Sequence, residues 1–202
     1  MNFGMCFTIL FSLIFVNNFV LSRFLGLCPY IGVSKSMEPA IGMGAAVTFV
    51  TTLASTVTWI IYRYALIPLK LEYMSTITFI LVIATLVQIV EMVIRKTSEP
   101  LYKALGIYLP LITTNCIVLG VTILNIDMFF KNGAPISGSF LMTALQGFGS
   151  GAGFSLAMIL MAGIRGHLET MDLPEAFKGV PITFIVAGLM AIAFLGFSGL
   201  SF

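Results

Sequence analysis

The sequence predicts an all-α integral membrane protein: six transmembrane helices forming two inverted three-helix repeats, with broken helices around two cysteines. Three observations carry that prediction. Of 202 residues, 9% are charged and 59% hydrophobic, and mean hydropathy is +1.09. A soluble domain carries about 25% charged residues, so this chain has too little charge to coat a water-facing surface. Apolar runs also recur at the length that crosses a hydrocarbon core, about 20 residues for about 30 Å. Finally, short sequence words repeat in the same order in the two halves.

The first expected span is Phe3–Leu21, continuing irregularly to Val33 because Gly26 interrupts it. It has no basic stretch ahead of the apolar run and no small-residue cleavage site, so a removable signal peptide is not expected. Ala40–Tyr62 is the second, with Trp59, Tyr62 and Tyr64 reading as an interfacial aromatic belt. Tyr73–Ile94 is the third. Leu105–Ile126 is the fourth, interrupted by helix-unfriendly Pro110, Thr113, Thr114 and Asn115. Phe140–Ile164 is the fifth. There Gly147/Gly151 and Gly149/Gly153 each make a small-x-x-x-small spacing, which suits close helix packing. A phosphate loop is excluded by the missing lysine and Ser/Thr, and an ion path along the bare backbone is the remaining alternative. Val180–Leu200 is the sixth. The polar breaks are short, so residues 1–202 form one membrane domain, with repeats of approximately 1–100 and 101–202.

Lys and Arg set the orientation. Arg23, Lys35, Arg95, Lys96, Lys103, Arg165 and Lys178 follow the odd-numbered spans, whereas Arg63, Lys70 and Lys131 follow the even ones. The first group belongs in the cytoplasm, and both termini then face outside. The net charge of +2 comes without a basic stripe and interleaved aromatics, which excludes nucleic acid as a partner.

Cys28-Pro29-Tyr30-Ile31-Gly32-Val33 and Cys116-Ile117-Val118-Leu119-Gly120-Val121 share the pattern Cys-x-x-x-Gly-Val. Ile77-Thr78-Phe79-Ile80 recurs as Ile182-Thr183-Phe184-Ile185, and Asn-x-x-Val-Leu occurs at Asn17–Leu21 and Asn115–Leu119 in a different register. Three spans per half make the second half enter from the opposite side, which relates the halves by a two-fold axis in the membrane plane.

The cysteines have three readings: small apolar packing residues, a disulfide, or ligands for a soft-metal centre. Thiolates suit iron–sulfur clusters, which take four ligands. Cys6 lies alone near the N-terminus, so Cys28 and Cys116 make two ligands per chain. A cluster would need two more from a second chain, either a copy or a paralogue. Asn115, Thr113 and Thr114 would then hydrogen-bond cluster sulfurs or satisfy broken-helix backbone. Glu91, one turn beyond Gln88, is an ion-path candidate at membrane depth or a headgroup-level carboxylate beside Arg95 and Lys96. His167, with Glu169, Asp172 and Glu175, reads as part of a solvated polar segment. No Ser/His/Asp constellation, dinucleotide fingerprint or flavin attachment motif is present, so no catalytic residue is assigned.

Several stretches resemble the membrane-protein family that comprises RnfA and RnfE of the Rnf complex and NqrD and NqrE of the sodium-pumping NADH–quinone reductase, and within it the RnfA branch. They are Val16-Asn17-Asn18-Phe19-Val20-Leu21, Phe24–Pro29, Gly32–Lys35, Glu91-Met92-Val93, Arg95-Lys96-Thr97-Ser98 and Leu105–Cys116. Ala187-Gly188-Leu189-Met190 and Gly196-Phe197-Ser198-Gly199 extend the likeness over nearly the whole chain. The resemblance implies a membrane electron-relay component of a ferredoxin–NAD oxidoreductase, coupled to Na⁺ or H⁺ translocation. It also implies one intramembrane [2Fe–2S] cluster, shared with a homologous RnfE-like chain of inverted topology that supplies two further cysteines. By position, Cys28 and Cys116 are this chain's ligands. The implied partners are RnfB, RnfC, RnfD, RnfE and RnfG and the lipid bilayer, and the implied location is the bacterial cytoplasmic (inner) membrane. The competing readings are NqrE of the sodium-pumping reductase, an iron-free inverted-repeat transporter, and a structural scaffold.

Overall fold

The structure, a computed structural model, describes residues 8–97, 109–131, 134–135, 138–168, 170–171, 174 and 177–199. An α-helical turn at 8–11 passes into a π-helix, Ser12–Val16. The helices that follow are α1 (Phe19–Arg23), α2 (Leu27–Val33), α3 (Met37–Ile61), α4 (Ser75–Thr97), α5 (Leu109–Thr113), α6 (Cys116–Phe129), α7 (Ser139–Leu168) and α8 (Val180–Leu195). A second π-helix, Tyr62–Leu66, extends α3. Phe130–Lys131 (β1) pairs antiparallel with Ala134–Pro135 (β2) after α6.

The expected all-α membrane architecture stands, but six continuous spans are not what is seen. Four described segments are long and apolar enough to cross a membrane: Met37–Leu66, Ser75–Met92, Pro110–Phe129 and Ser139–Leu168. The third of these is itself broken between α5 and α6. α8 is a shorter apolar helix of 16 residues. The expected first span is divided among short helical pieces. Asn18 caps α1, its Oδ1 accepting the Val20 and Leu21 amides, and so stops the preceding helix. Phe24 (φ +55°) and Gly26 (φ +79°) then turn the chain through the left-handed region. Residues 1–7, with Cys6, lie outside the described residues, as does the expected start of the fourth span at Leu105.

Two helices exceed expectation. α3 begins upstream of Ala40 because Pro39 falls in its first turn, where a missing N–H leaves no bond unmade. α7 runs on to Leu168 and takes Arg165 and His167 into its last turn, where a polar connection was expected.

The core is the antiparallel pair α3–α7. A Cβ at Gly151 would lie 2.5 Å from the Thr48 Cα, and one at Gly147 would lie 3.0 Å from the Thr51 carbonyl oxygen. The bare glycines let the backbones touch. Gly149 and Gly153 face the other way, against Leu13 and Asn18. The alternating glycines thus pack two elements at once, as close packing requires. The Thr48, Thr51 and Ser155 hydroxyls along the seam are matched within it, whereas Ser55 Oγ and Thr143 Oγ1 have no partner among the described residues. Thr51 Oγ1 lies 3.1 Å from the Gly147 carbonyl, and Thr48 Oγ1 lies 3.1 Å from Ser155 Oγ. Internal partners of this kind are required where no water reaches. α6 packs against both members of the pair. α4 is peripheral: 17% of its apolar stretch is buried against 56% of α7's, which leaves most of it to face lipid or another chain. Trp59 and Tyr62 turn inward and are buried, while Tyr64 stays outside, so only the last fits the expected aromatic belt.

Candidate functional site

Cys28 and Cys116 each occupy the first turn of a helix. Gly26 is the N-cap of α2 and places Cys28 at its second position. Asn115 is the N-cap of α6, its Oδ1 accepting the Ile117 amide at 3.2 Å, and Cys116 opens the helix. The break before Cys116 is confined to Thr114 and Asn115. Pro110 and Thr113 sit inside α5, since proline is tolerated in a first turn. Helix N-termini carry partial positive charge and favour anionic groups beside them.

Tertiary packing brings the two helix starts together. A Cβ on Gly26 would fall 2.9 Å from Asn115 Oδ1 and 3.6 Å from the Ile117 Cβ, and the Leu25 side chain fills the space over Gly120. Both thiols are free and exposed on the surface of the chain. A groove of about 490 Å³ runs beside Cys116, lined mainly by Leu25, Ile80, Ile83, Leu119 and Ile123 with Thr113–Cys116 along one wall.

Asn115 is buried, and its Nδ2 has no hydrogen-bond partner among the described residues. That unmatched donor belongs to the residue preceding Cys116 but makes no hydrogen bond to the thiol itself. Thr114 is exposed, and its hydroxyl donates to the Pro110 carbonyl at 3.0 Å, which satisfies the end of α5. Its proton is therefore already engaged within the chain.

Two residues hold α2 in place. The Arg165 guanidinium, buried in the last turn of α7, donates to the Ile31 carbonyl at 2.8 Å and to Ser34 Oγ at 3.2 Å. It caps the C-terminal end of the helix whose first turn holds Cys28. Tyr30 is fully buried and its hydroxyl reaches Met190 Sδ on α8 at 3.4 Å. Sequence reasoning missed Arg165, because a basic residue after an apolar run reads as a membrane-surface charge. The small polar Ser34 just after α2 was the one available hint of a partner.

The other sequence candidates lie apart from the thiols. Glu91 is half-buried near the end of α4 and Gln88 is exposed. His167 is exposed, and Glu169, Asp172 and Glu175 lie outside the described residues. Among the described residues, no group of three or more His, Cys, Asp or Glu gathers in one place.

Comparison with known proteins gives the family of the chain. Residues 6–201 match the family described as "Rnf-Nqr subunit, membrane protein". The A component of the Na(+)-translocating ferredoxin:NAD(+) oxidoreductase complex of Acetobacterium woodii is 57% identical over 192 residues, covering 95% of this chain and 96% of that one. The A component of the ion-translocating oxidoreductase complex of Photorhabdus laumondii is 56% identical over 194 residues, covering 96% of each chain. The protein of the same description in Escherichia coli is 57% identical over 187 residues, covering 93% of each. With near-complete coverage and more than half of the aligned positions identical, the chain belongs to the Rnf-Nqr family of membrane subunits.

Proposed function

We propose that this chain is the RnfA component of an ion-translocating ferredoxin–NAD oxidoreductase and relays electrons inside the membrane. Cys28 and Cys116 supply two of the four ligands of a [2Fe–2S] cluster, and a homologous RnfE-like chain of inverted topology supplies the other two. The observation that carries this reading is the pair of outward thiols on the first turns of two abutting helices. Thiols meant only to fill space would turn into the core, as Ile117 and Tyr30 beside them do. When bound, the cluster supplies one-electron transfer between the soluble-domain partners.

The chain's own residues orient and tune. The starts of α2 and α6 direct amide dipoles toward the thiolates. Asn115 Nδ2 donates a hydrogen bond to a ligand sulfur, which shifts potential. Arg165 and Tyr30 fix the α2 end of the site. Glu91 serves the ion path or orders the end of α4, and full ion-coupled activity in Glu91→Gln would remove it from the path.

The larger arrangement follows the same reading: six membrane-crossing segments in a three-plus-three inverted repeat, both termini outside, in the cytoplasmic membrane of a bacterium with RnfB, RnfC, RnfD and RnfG. The two 30-residue segments Met37–Leu66 and Ser139–Leu168 support the repeat. Each is the second element of its half, and they pack antiparallel.

The test is iron content and the EPR spectrum of the reduced, purified complex. Native complex should hold two irons at this site. Cys28→Ser and Cys116→Ser should each lose both that iron and its signal while the chain still assembles. Native complex without iron at the interface would end the proposal.

A further inference from the structure

Four buried polar atoms take no part in the site above. Ser55 Oγ, Thr143 Oγ1 and both Oδ1 and Nδ2 of Asn125 have no hydrogen-bond partner among the described residues. All three side chains are at most 2% exposed, so lipid and bulk water do not reach them.

Helix register sets the three at one level. α3 and α7 run antiparallel with Thr48 against Gly151, Thr51 against Gly147 and Trp59 Nε1 donating to Ser139 Oγ. Ser55 therefore stands opposite Thr143, and a Cβ on Gly147 would lie 2.8 Å from Ser55 Oγ. The third helix joins at the same height. The Phe130 ring, just past α6, packs on Trp59 at 5.9 Å and on Tyr62 at 4.8 Å, and Gln146 Nε2 reaches Met128 Sδ at 3.7 Å. At 1.5 Å per residue, Ser55 lies about 6 Å along α3 from Trp59, Thr143 about 6 Å along α7 from its partner Ser139, and Asn125 about 8 Å back along α6 from Phe130. The three helices meet there beneath a lid of Trp59, Tyr62, Phe130 and Phe140.

Orphaned polar atoms in a membrane interior persist where an ion or water satisfies them. We propose that Ser55 Oγ, Thr143 Oγ1 and Asn125 Oδ1 bind a partly dehydrated, Na⁺-sized monovalent cation. Asn125 Nδ2 donates to water that the cation retains. Asn125 lies about one turn before the C-terminal end of α6, a half-helix beginning at the Thr114–Asn115 break, whose last carbonyls carry partial negative charge. Asp127 is exposed, so the oxygen set carries no formal charge.

α6 carries this site near one end and Cys116 at the other, nine residues or about 14 Å away along the axis. A link to redox chemistry rests on the proposed cluster, whereas the cation site does not.

The test is ²²Na⁺ equilibrium binding to the purified complex, with iron content and melting temperature taken on the same samples. Native complex should bind Na⁺ saturably. Asn125→Leu and Thr143→Val should weaken binding at least tenfold, and Asn125→Asp should strengthen it by adding a charge. No saturable binding in the native complex, or unchanged binding in the Leu and Val variants, would overturn the site. If those two variants do not assemble, unchanged affinity in Asn125→Asp overturns it instead. Loss of iron with Na⁺ binding intact would sink the cluster reading and leave the cation site standing.

Discussion

In the α3–α7 seam, Thr51 and Thr48 find hydrogen-bond partners on the facing helix, and Gly147 and Gly151 bring the backbones into contact. At the starts of α2 and α6, both thiols face outward and the Asn115 Nδ2 donor has no partner among the described residues. One region meets most of its needs within the chain. The other is assembled by the chain but left to be completed from outside. In a membrane protein this contrast separates scaffold from site, because a polar group left unmatched in lipid is retained only where function needs it.

The sharpest way to break that contrast is to overfill the seam. Gly151→Leu should drive a side chain into the Thr48 backbone and cost about 3 kcal/mol or more, read as a large drop in the melting temperature of the complex. Gly32→Ala, where no atom lies within 4 Å of a new Cβ, should change stability by no more than about 0.5 kcal/mol. Equal effects at the two glycines would mean that the seam is not the scaffold.

Arg165 ties the two regions together, since it belongs to α7 and holds the end of α2. Arg165→Leu leaves the Ile31 carbonyl and Ser34 unmatched, at a cost of about 1–3 kcal/mol. Faster amide exchange across Leu27–Val33 should accompany it, with α3 unchanged. Arg165→Lys should recover part of the protection, because one donor still reaches the carbonyl.

The finest comparison is between two capping asparagines. Asn18 caps α1 and its Nδ2 donates to the Gly153 carbonyl at 2.9 Å, deep in the fold. Asn115 caps α6 beside a thiol. Replacing either with Ala should lower stability by about 1 kcal/mol. Only Asn115→Ala should also move the g-values or the potential of the reduced complex. A spectrum that ignores Asn115 would reduce it to a cap.

Much of the site was legible in the chain because its signals are local. Cysteines beside helix-breaking residues announce a thiol at a helix start, and Gly26 and Asn115 do serve as those starts. The alternating glycines announced a packing seam. What was misread depends on context. Asn17–Leu21 reads in the sequence as a repeated word, whereas in the fold Asn18 within it caps α1 and reaches the Gly153 carbonyl. Arg165 looked like a surface charge because its partner carbonyl lies more than a hundred residues away in the chain. Span boundaries slipped for a related reason: α7 continues past Ile164 because Arg165 is held by α2 instead of by water.

By itself the sequence determined the solvent, the helical class and the residue types offered at each break, since hydropathy and backbone preference act within a few residues. Tertiary structure alone decided which way each polar group points. Burial, and with it whether an amide, a hydroxyl or a guanidinium is matched, is a property of what the folded chain places opposite it. That is why the outward thiols, the guanidinium on α2 and the unmatched oxygens of Ser55, Asn125 and Thr143 emerge only once the helices are packed.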